Sequence, residues 1–448
     1  MTLALESRLA EAGLSAAESA RKQALFETAD QPLVRRSGAS IGELWRWFVP
    51  GRIEIFGKHT DYAGGRSLVC ALERGFCVAA APREDALLCV TDALSGERAE
   101  IPISPEIEIG QADWTVYPRT VARRLARNFG HSLAGIEIAF ASDLPRSAGL
   151  SSSSALLVAV FTALARRNPL ENHAAWRGAI HTSLDLAGYL GAIESGTGFG
   201  SLPGGEGVGT FGGSEDHAAI LCSRAGHAGL FSFCPVRLEQ TIPLPENWLF
   251  AVGVSGVVAE KTGSARESYN RASLSSAAIL ALWRSATGRA DRTLADAVRS
   301  SPEAPERIRE LLRRDSDASF PSEELLARFD QFFDESESLV PAAAGALARG
   351  DFASLGALAE RSQAGAERGL RNQVPETIAL VQLAKELGAI PSSAFGAGFG
   401  GSVWALVRGG EATEFREQWE KAYRRNFPGA AACQCFLTGA GPALLDLS

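Results

Sequence analysis

At 448 residues the chain is long enough for two or three domains of ordinary size. Hydrophobic residues make up 46% and charged residues 21%, the balance of a soluble globular protein. A formal charge of -8 excludes nucleic acid as the main partner, because a phosphate backbone needs a basic surface.

The first residues carry glutamates and no sustained apolar run, so they do not read as a signal peptide. Residues 2–30 read as a helical extension, rich in Ala, Leu, Glu and Arg at helical spacing. Strand pieces follow over residues 44–49 and 52–56, on either side of Pro50 and Gly51, and end in a glycine-bounded loop over 57–65. Residues 67–72, 76–81 and 86–91 continue as strands, 116–129 as a helix and 135–141 as a strand. A Pro/Gly/Ser loop over 143–154 opens an apolar helix over 155–166, and 173–190 reads as another helix. Residues 196–213 hold too many glycines for a regular element, and are either a disordered surface insertion or a lid. A composition change near 243–248 precedes a strand over 249–254. Helices are expected over 273–285, 302–314, 343–349 and 376–387, and strands over 402–407 and 433–437 flank a helix over 411–426. The pattern gives an α+β protein of two lobes, 1–245 and 246–448, with a cleft between them.

The seven cysteines show no zinc-like spacing and read as reduced thiols, and no run approaches the roughly 20 apolar residues of a membrane span. A soluble cytoplasmic protein is expected, with monomer and dimer both open.

Three loops concentrate polar chemistry. The first delivers Arg52 on a strand and then Lys58, His59 and Asp61 between glycines. A cation, an imidazole and a carboxylate together suit a polyhydroxylated ligand, whose hydroxyls donate and accept. The second carries Ser147, Gly149, Ser151, Ser152, Ser153 and Ser154 just before an apolar helix, where free N–H groups, hydroxyls and the helix dipole favour an anion. Simple N-capping needs one serine, not four. It is not a Walker A loop, because no G-K-[ST] follows. The third places four glycines within residues 396–401, which permits close backbone approach.

Together and in this order, the loops resemble the signature motifs of the GHMP kinases, and the first is specifically similar to the galactokinase G-R-x-N-L-I-G-E-H-T-D-Y-x-G-G. The second is similar to the P-x-x-x-G-L-S-S-S-A nucleotide loop and the third to G-A-G-F-G-G. Ser268, Tyr269, Asn270 and Arg271 resemble a further galactokinase segment, S-x-Y-N-x-R. The resemblance implies a two-lobed GHMP kinase fold, with an N-terminal lobe like ribosomal protein S5 domain 2 and a ferredoxin-like C-terminal lobe. It implies ATP and Mg2+ bound between them, and phosphorylation of a galactose-like sugar at its anomeric hydroxyl.

By the same resemblance Asp216 is the candidate base, with Arg52 beside it. Ser152 and Glu194 are the candidate metal ligands, and His59, Asp61 and Tyr269 the sugar-binding residues. The six loop residues from Ser147 to Ser154 named above are assigned to ATP. The chain departs from the galactokinase wording at Lys58, where that family has a glutamate meeting the sugar C6 hydroxyl, and at Glu54, where it has asparagine. A lysine there suits a carboxylate at C6, as in galacturonate, unless Lys58 is paired to a local acid. A sugar and ATP sensor without turnover is the alternative of a different class.

Overall fold

Two sheets and their covering helices make up the computed structural model, which describes residues 5–38, 40–110, 113–130, 132–257 and 266–448. The first sheet is built on two long strands, β1 (Trp45–Phe56) and β2 (Arg66–Pro82), whose near-continuous apolar runs are buried on both faces. It continues through β3 (Leu87–Asp92), β4 (Arg98–Pro102), β5 (Ile136–Ser142), β6 (His227–Ser232) and β7 (Arg237–Pro243). β2 is long enough to pair with β6 along Arg66 to Val69 and with β5 along Phe76 to Pro82. The second sheet holds β8 (Trp248–Val254), β9 (Ser392–Phe395), β10 (Ser402–Arg408) and β11 (Gln434–Thr438) in the antiparallel order β11-β8-β10-β9.

Helices Val116–Phe129, Ser152–Arg167 and Ser183–Ser195 pack their apolar faces into the core of the first sheet. The opposite face is covered by Ala16–Ser37, which lies close because Ala29 meets Ala79, Ala81, Ala139 and Ala141. Pro375–Glu386 and Gly409–Asn426 cover the second sheet. Helices Arg266–Thr287, Leu294–Val298, Ala304–Arg314 and Ser322–Phe333 form a separate apolar cluster that reaches Tyr62 and Ala63 of the first loop.

Several elements depart from the sequence reading. Pro50 and Gly51 do not break the strand: β1 runs through them with a register shift between Pro50 and Arg52. Residues 67–81 are likewise one strand rather than two. The helix expected over 173–190 is split into Ala174–Arg177 and Ser183–Ser195, the second restarted by a capping box between Thr182 and Asp185. Residues 196–213 are no disordered insertion: Leu202, Val208 and Thr210 are buried, and the Val208 amide donates to the Glu194 carbonyl at 2.9 Å. A last short strand, β12 (Leu445–Asp446), returns to pair with β1, so the chain's end sits with the N-terminal lobe rather than the second. All seven cysteines are free thiols, with Cys222 half-buried, Cys234 exposed and the others buried. No helix among the described residues is long and apolar enough to cross a membrane.

Candidate active site

The three glycine-rich loops converge, and glycine is required where they touch. Arg52 donates its amide to the Leu150 carbonyl at 3.3 Å, drawing β1 against the serine loop. A Cβ at Gly51 would stand 2.6 Å from that same carbonyl oxygen. The third loop, the β9–β10 turn, packs backbone to backbone on the second: a Cβ at Gly396 would lie 2.9 Å from the Gly149 oxygen, and the Ser402 hydroxyl donates to the Ala148 carbonyl at 2.7 Å.

The serine loop contributes to the walls of two cavities. The smaller is walled by Arg52, Glu54, His59, Asp61, Tyr62, Ser154, Glu194, Glu215, Asp216 and Tyr269, with Gly212 and Gly213 from the end of the 196–213 passage. Arg52 is its organising cation. One Nη donates to Asp216 Oδ1 at 2.8 Å, the other to the Gly149 carbonyl at 2.6 Å, and Nε lies 3.5 Å from Glu215 Oε1. Its pKa rises further, with burial opposing and the carboxylates Asp216 and Glu215 prevailing. Asp216 sits in the first turn of Glu215–Cys222, where the helix dipole also favours its charge.

Ser154 Oγ is 2.9 Å from Glu194 Oε2 and 3.1 Å from Asp216 Oδ2. A hydroxyl has one proton and cannot serve two carboxylates at once. This oxygen-rich set, two carboxylates about one hydroxyl, fits a Mg2+ that takes its remaining ligands from phosphate and water. Ser152, the ligand expected from the sequence, lines the other cavity, whereas Ser154 stands beside Glu194.

Asp61 Oδ1 accepts from the Tyr62 amide at 2.9 Å and Oδ2 from the Glu215 amide at 3.1 Å. His59, held at a left-handed φ of 57°, places Nε2 3.0 Å from the Ala397 carbonyl and Nδ1 3.0 Å from the Tyr62 hydroxyl. The carbonyl can only accept, so Nε2 carries the proton. Arg328 donates to the His59 carbonyl at 2.6 Å and to the Tyr62 hydroxyl at 3.1 Å. Burial pushes the Tyr62 phenol up to about 12. Tyr269 closes the wall, its ring 5.3 Å from that of His59. The space left between these side chains is small, about 30 Å³.

Lys58 is not in this wall. It is fully buried and turned to the back of the loop, where Nζ donates to Ser362 Oγ at 2.6 Å and Ser393 Oγ at 3.0 Å. Ser362 in turn donates to Glu335 Oε1 at 2.9 Å, and that oxygen also accepts the amides of Gly57 and Lys58 at 2.8 and 3.3 Å. The sequence-based pairing of Lys58 with a substrate carboxylate therefore fails. Lys58 braces the loop through serines, which belong to elements far along the chain.

The larger cavity, about 440 Å³, is lined by Ser147, Gly149, Ser151, Ser152 and Ser153 at one end and by Phe76, Trp114, Tyr117 and Phe140 at the other. Asp92, Glu97, Asp113 and Arg146 also line it, and aromatic side chains together with hydroxyls and helix amides suit a planar base with a phosphate tail. Ser147, Gly149 and Ser151 all have positive φ. Ser151 stands at the N-cap of Ser152–Arg167 without a side-chain capping bond, and its buried Oγ has no partner among the described residues. The capping explanation of the serines is thus excluded at Ser151. Sequence reasoning missed the aromatic end, Glu215 and Tyr62. Trp114 and Tyr117, ahead of and inside a helix, carried no motif, although the aromatic cluster itself was a visible signal.

Comparison with known proteins agrees with this geometry. The galactokinase galactose-binding signature matches residues 36–82, the GHMP kinases N terminal domain residues 116–201, and the GHMP kinases C terminal signature residues 343–425. The chain is 32% identical to a galactokinase of Roseiflexus sp. (strain RS-1) over 84% of its length and 86% of that protein. It is 28% identical to a galactokinase of Streptomyces coelicolor, over 81% of this chain and 84% of that one. The crystal structure of Lactococcus lactis galactokinase complexed with galactose superposes with a TM-score of 0.73 over 93% of this chain and 98% of that chain, at 20% identity. Methanococcus jannaschii mevalonate kinase gives 0.51 over 88% and 97%, at 12% identity. These likenesses give the GHMP kinase fold.

Proposed function

Because the chain belongs to the galactokinase family of GHMP kinases, we propose that it transfers the γ-phosphoryl group of ATP to the anomeric hydroxyl of galactose or a closely related hexose. The observation that carries this reading is the Arg52–Asp216 pair at 2.8 Å in the smaller cavity, with Arg52 also bonded to the Gly149 carbonyl of the loop that lines the larger one. The serine loop holds the phosphates of ATP, with Trp114 and Phe140 beside the base. The sugar lies among His59, Asp61 and Tyr269 with its anomeric hydroxyl toward Asp216.

Asp216, kept ionised by Arg52, accepts the hydroxyl proton as the oxygen attacks, or holds that hydroxyl in line. The Arg52 guanidinium, tied to both Asp216 and the Gly149 carbonyl, offsets charge on the transferring group. Ser154 and Glu194 are the proposed holders of Mg2+, which when bound neutralises charge on the phosphate oxygens. The 196–213 passage contributes its last two glycines as part of the sugar wall, a passive boundary rather than a separate lid.

The test is ADP release from Mg-ATP with galactose, galacturonate, arabinose and N-acetylgalactosamine. Turnover led by galactose supports the reading. Turnover confined to galacturonate would contradict the buried position of Lys58. Nucleotide binding without turnover of any sugar would replace the enzyme by a sensor.

A further inference from the structure

Glu54 lies two residues beyond Arg52 on the same face of β1, in the wall of the sugar cavity. It takes no part in the transfer just described. The residue is 4% exposed, and its Oε1 meets no hydrogen-bond partner among the described residues. Its neighbour Glu215 accepts from the Ser67 hydroxyl through Oε2 at 2.6 Å and faces Arg52 Nε through Oε1 at 3.5 Å.

The nearest lysine cannot complete Glu54, since the Lys58 ammonium is occupied by Ser362 and Ser393. A buried acceptor left open inside a core is costly and rare. In the wall of a ligand cavity it is completed by a donor that arrives with the ligand.

We propose that Glu54 is a specificity-determining residue, its open oxygen accepting a hydrogen bond from a sugar hydroxyl other than the one phosphorylated. This rests on the sugar-kinase reading above and deepens it. A second hydroxyl is then read by the strand rather than by the loop.

The experiment compares kcat/KM for galactose and its 2-, 3-, 4- and 6-deoxy analogues in the wild type, Glu54→Met and Glu54→Gln. Loss of a hydrogen bond to this group is expected to cost about ten- to a hundredfold. In the wild type one deoxy sugar should fall by that factor. In Glu54→Met galactose should fall by the same factor, while that one deoxy sugar loses nothing further. Glu54→Gln, which retains an acceptor oxygen, should restore part of the discrimination. A loss spread equally over every sugar would mean a structural role and overturn the proposal. If Glu54→Met does not fold, Glu54→Gln decides: a change confined to one deoxy position supports the proposal, and a uniform change overturns it. If the wild type turns over no sugar, the kinase reading falls first and takes this one with it, an outcome distinct from uniform loss.

Discussion

The first and second glycine loops solve opposite problems with opposite means. The first, over residues 57–65, is held by side chains that reach it from distant helices and from β9: Glu335 takes its amides, Ser362 and Ser393 hold Lys58, and Arg328 and Gln331 take the carbonyls of His59 and Lys58. The second is shaped by backbone, through left-handed Ser147, Gly149 and Ser151, and leaves hydroxyls open. A neutral sugar is told from its isomers by side chains fixed to fractions of an ångström, which demands a brace. A phosphate is attracted by any array of N–H and O–H dipoles, and a bare loop at a helix N-terminus suffices.

The brace should break most severely at Lys58. Lys58→Glu sets a buried carboxylate beside Glu335 and is expected to cost about 3–5 kcal/mol of stability, read as a lowered denaturation midpoint at unchanged slope. The ratio of galactose to galacturonate turnover should stay as it was. A stable variant with a shifted sugar preference would restore Lys58 to the substrate side.

Arg52 joins the two loops, so Arg52→Leu should remove about 10²–10³-fold from kcat. KM for each substrate should change much less. A variant altered only in KM would reduce Arg52 to a binding group.

Where the loops touch, Gly51→Ala drives a Cβ to 2.6 Å from the Leu150 oxygen and 2.8 Å from Leu144. Steric overpacking of this kind costs about 1–3 kcal/mol. A calorimetric melting scan should show the loss, accompanied by a raised KM for ATP and little change in KM for sugar. An unchanged KM for ATP would mean that the serine loop is not positioned by this approach.

The smallest effect separates two neighbouring serines. Ser154→Ala should raise the Mg2+ needed for half-maximal activity about tenfold, in keeping with the loss of one oxygen from a hard-cation set, whereas Ser152→Ala should leave it nearly unchanged. The reverse order would return the metal to Ser152.

Much of this was legible in the sequence because local chemistry carried it. Arg52, His59, Asp61, Tyr269, Glu194 and Asp216 all line one cavity, and each was marked by a motif within its own segment. The helix over 116–129 was legible residue for residue, its apolar face repeating at helical spacing. Orientation was not legible. Lys58 reads as a member of the polar loop, yet the sequence does not reveal that Ser362 and Ser393, some 300 positions away, receive its ammonium. Ser152 and Ser154 are indistinguishable as letters, and only the helical turn sets one against Glu194 and the other in the neighbouring chamber. β7 was missed because all but one of its residues face solvent and carry no alternation to detect.

Asp216 and Arg52, paired at 2.8 Å beside the serine loop, are proposed to carry phosphoryl transfer to a sugar hydroxyl. Single-turnover transfer from γ-labelled ATP to galactose, in the wild type and in Asp216→Asn, tests it most directly. The account predicts label on the anomeric oxygen in the wild type. It predicts transfer about 10²–10⁴-fold slower in the variant, with both substrates still bound. Equal transfer rates in the two proteins, or label on another hydroxyl, would contradict it.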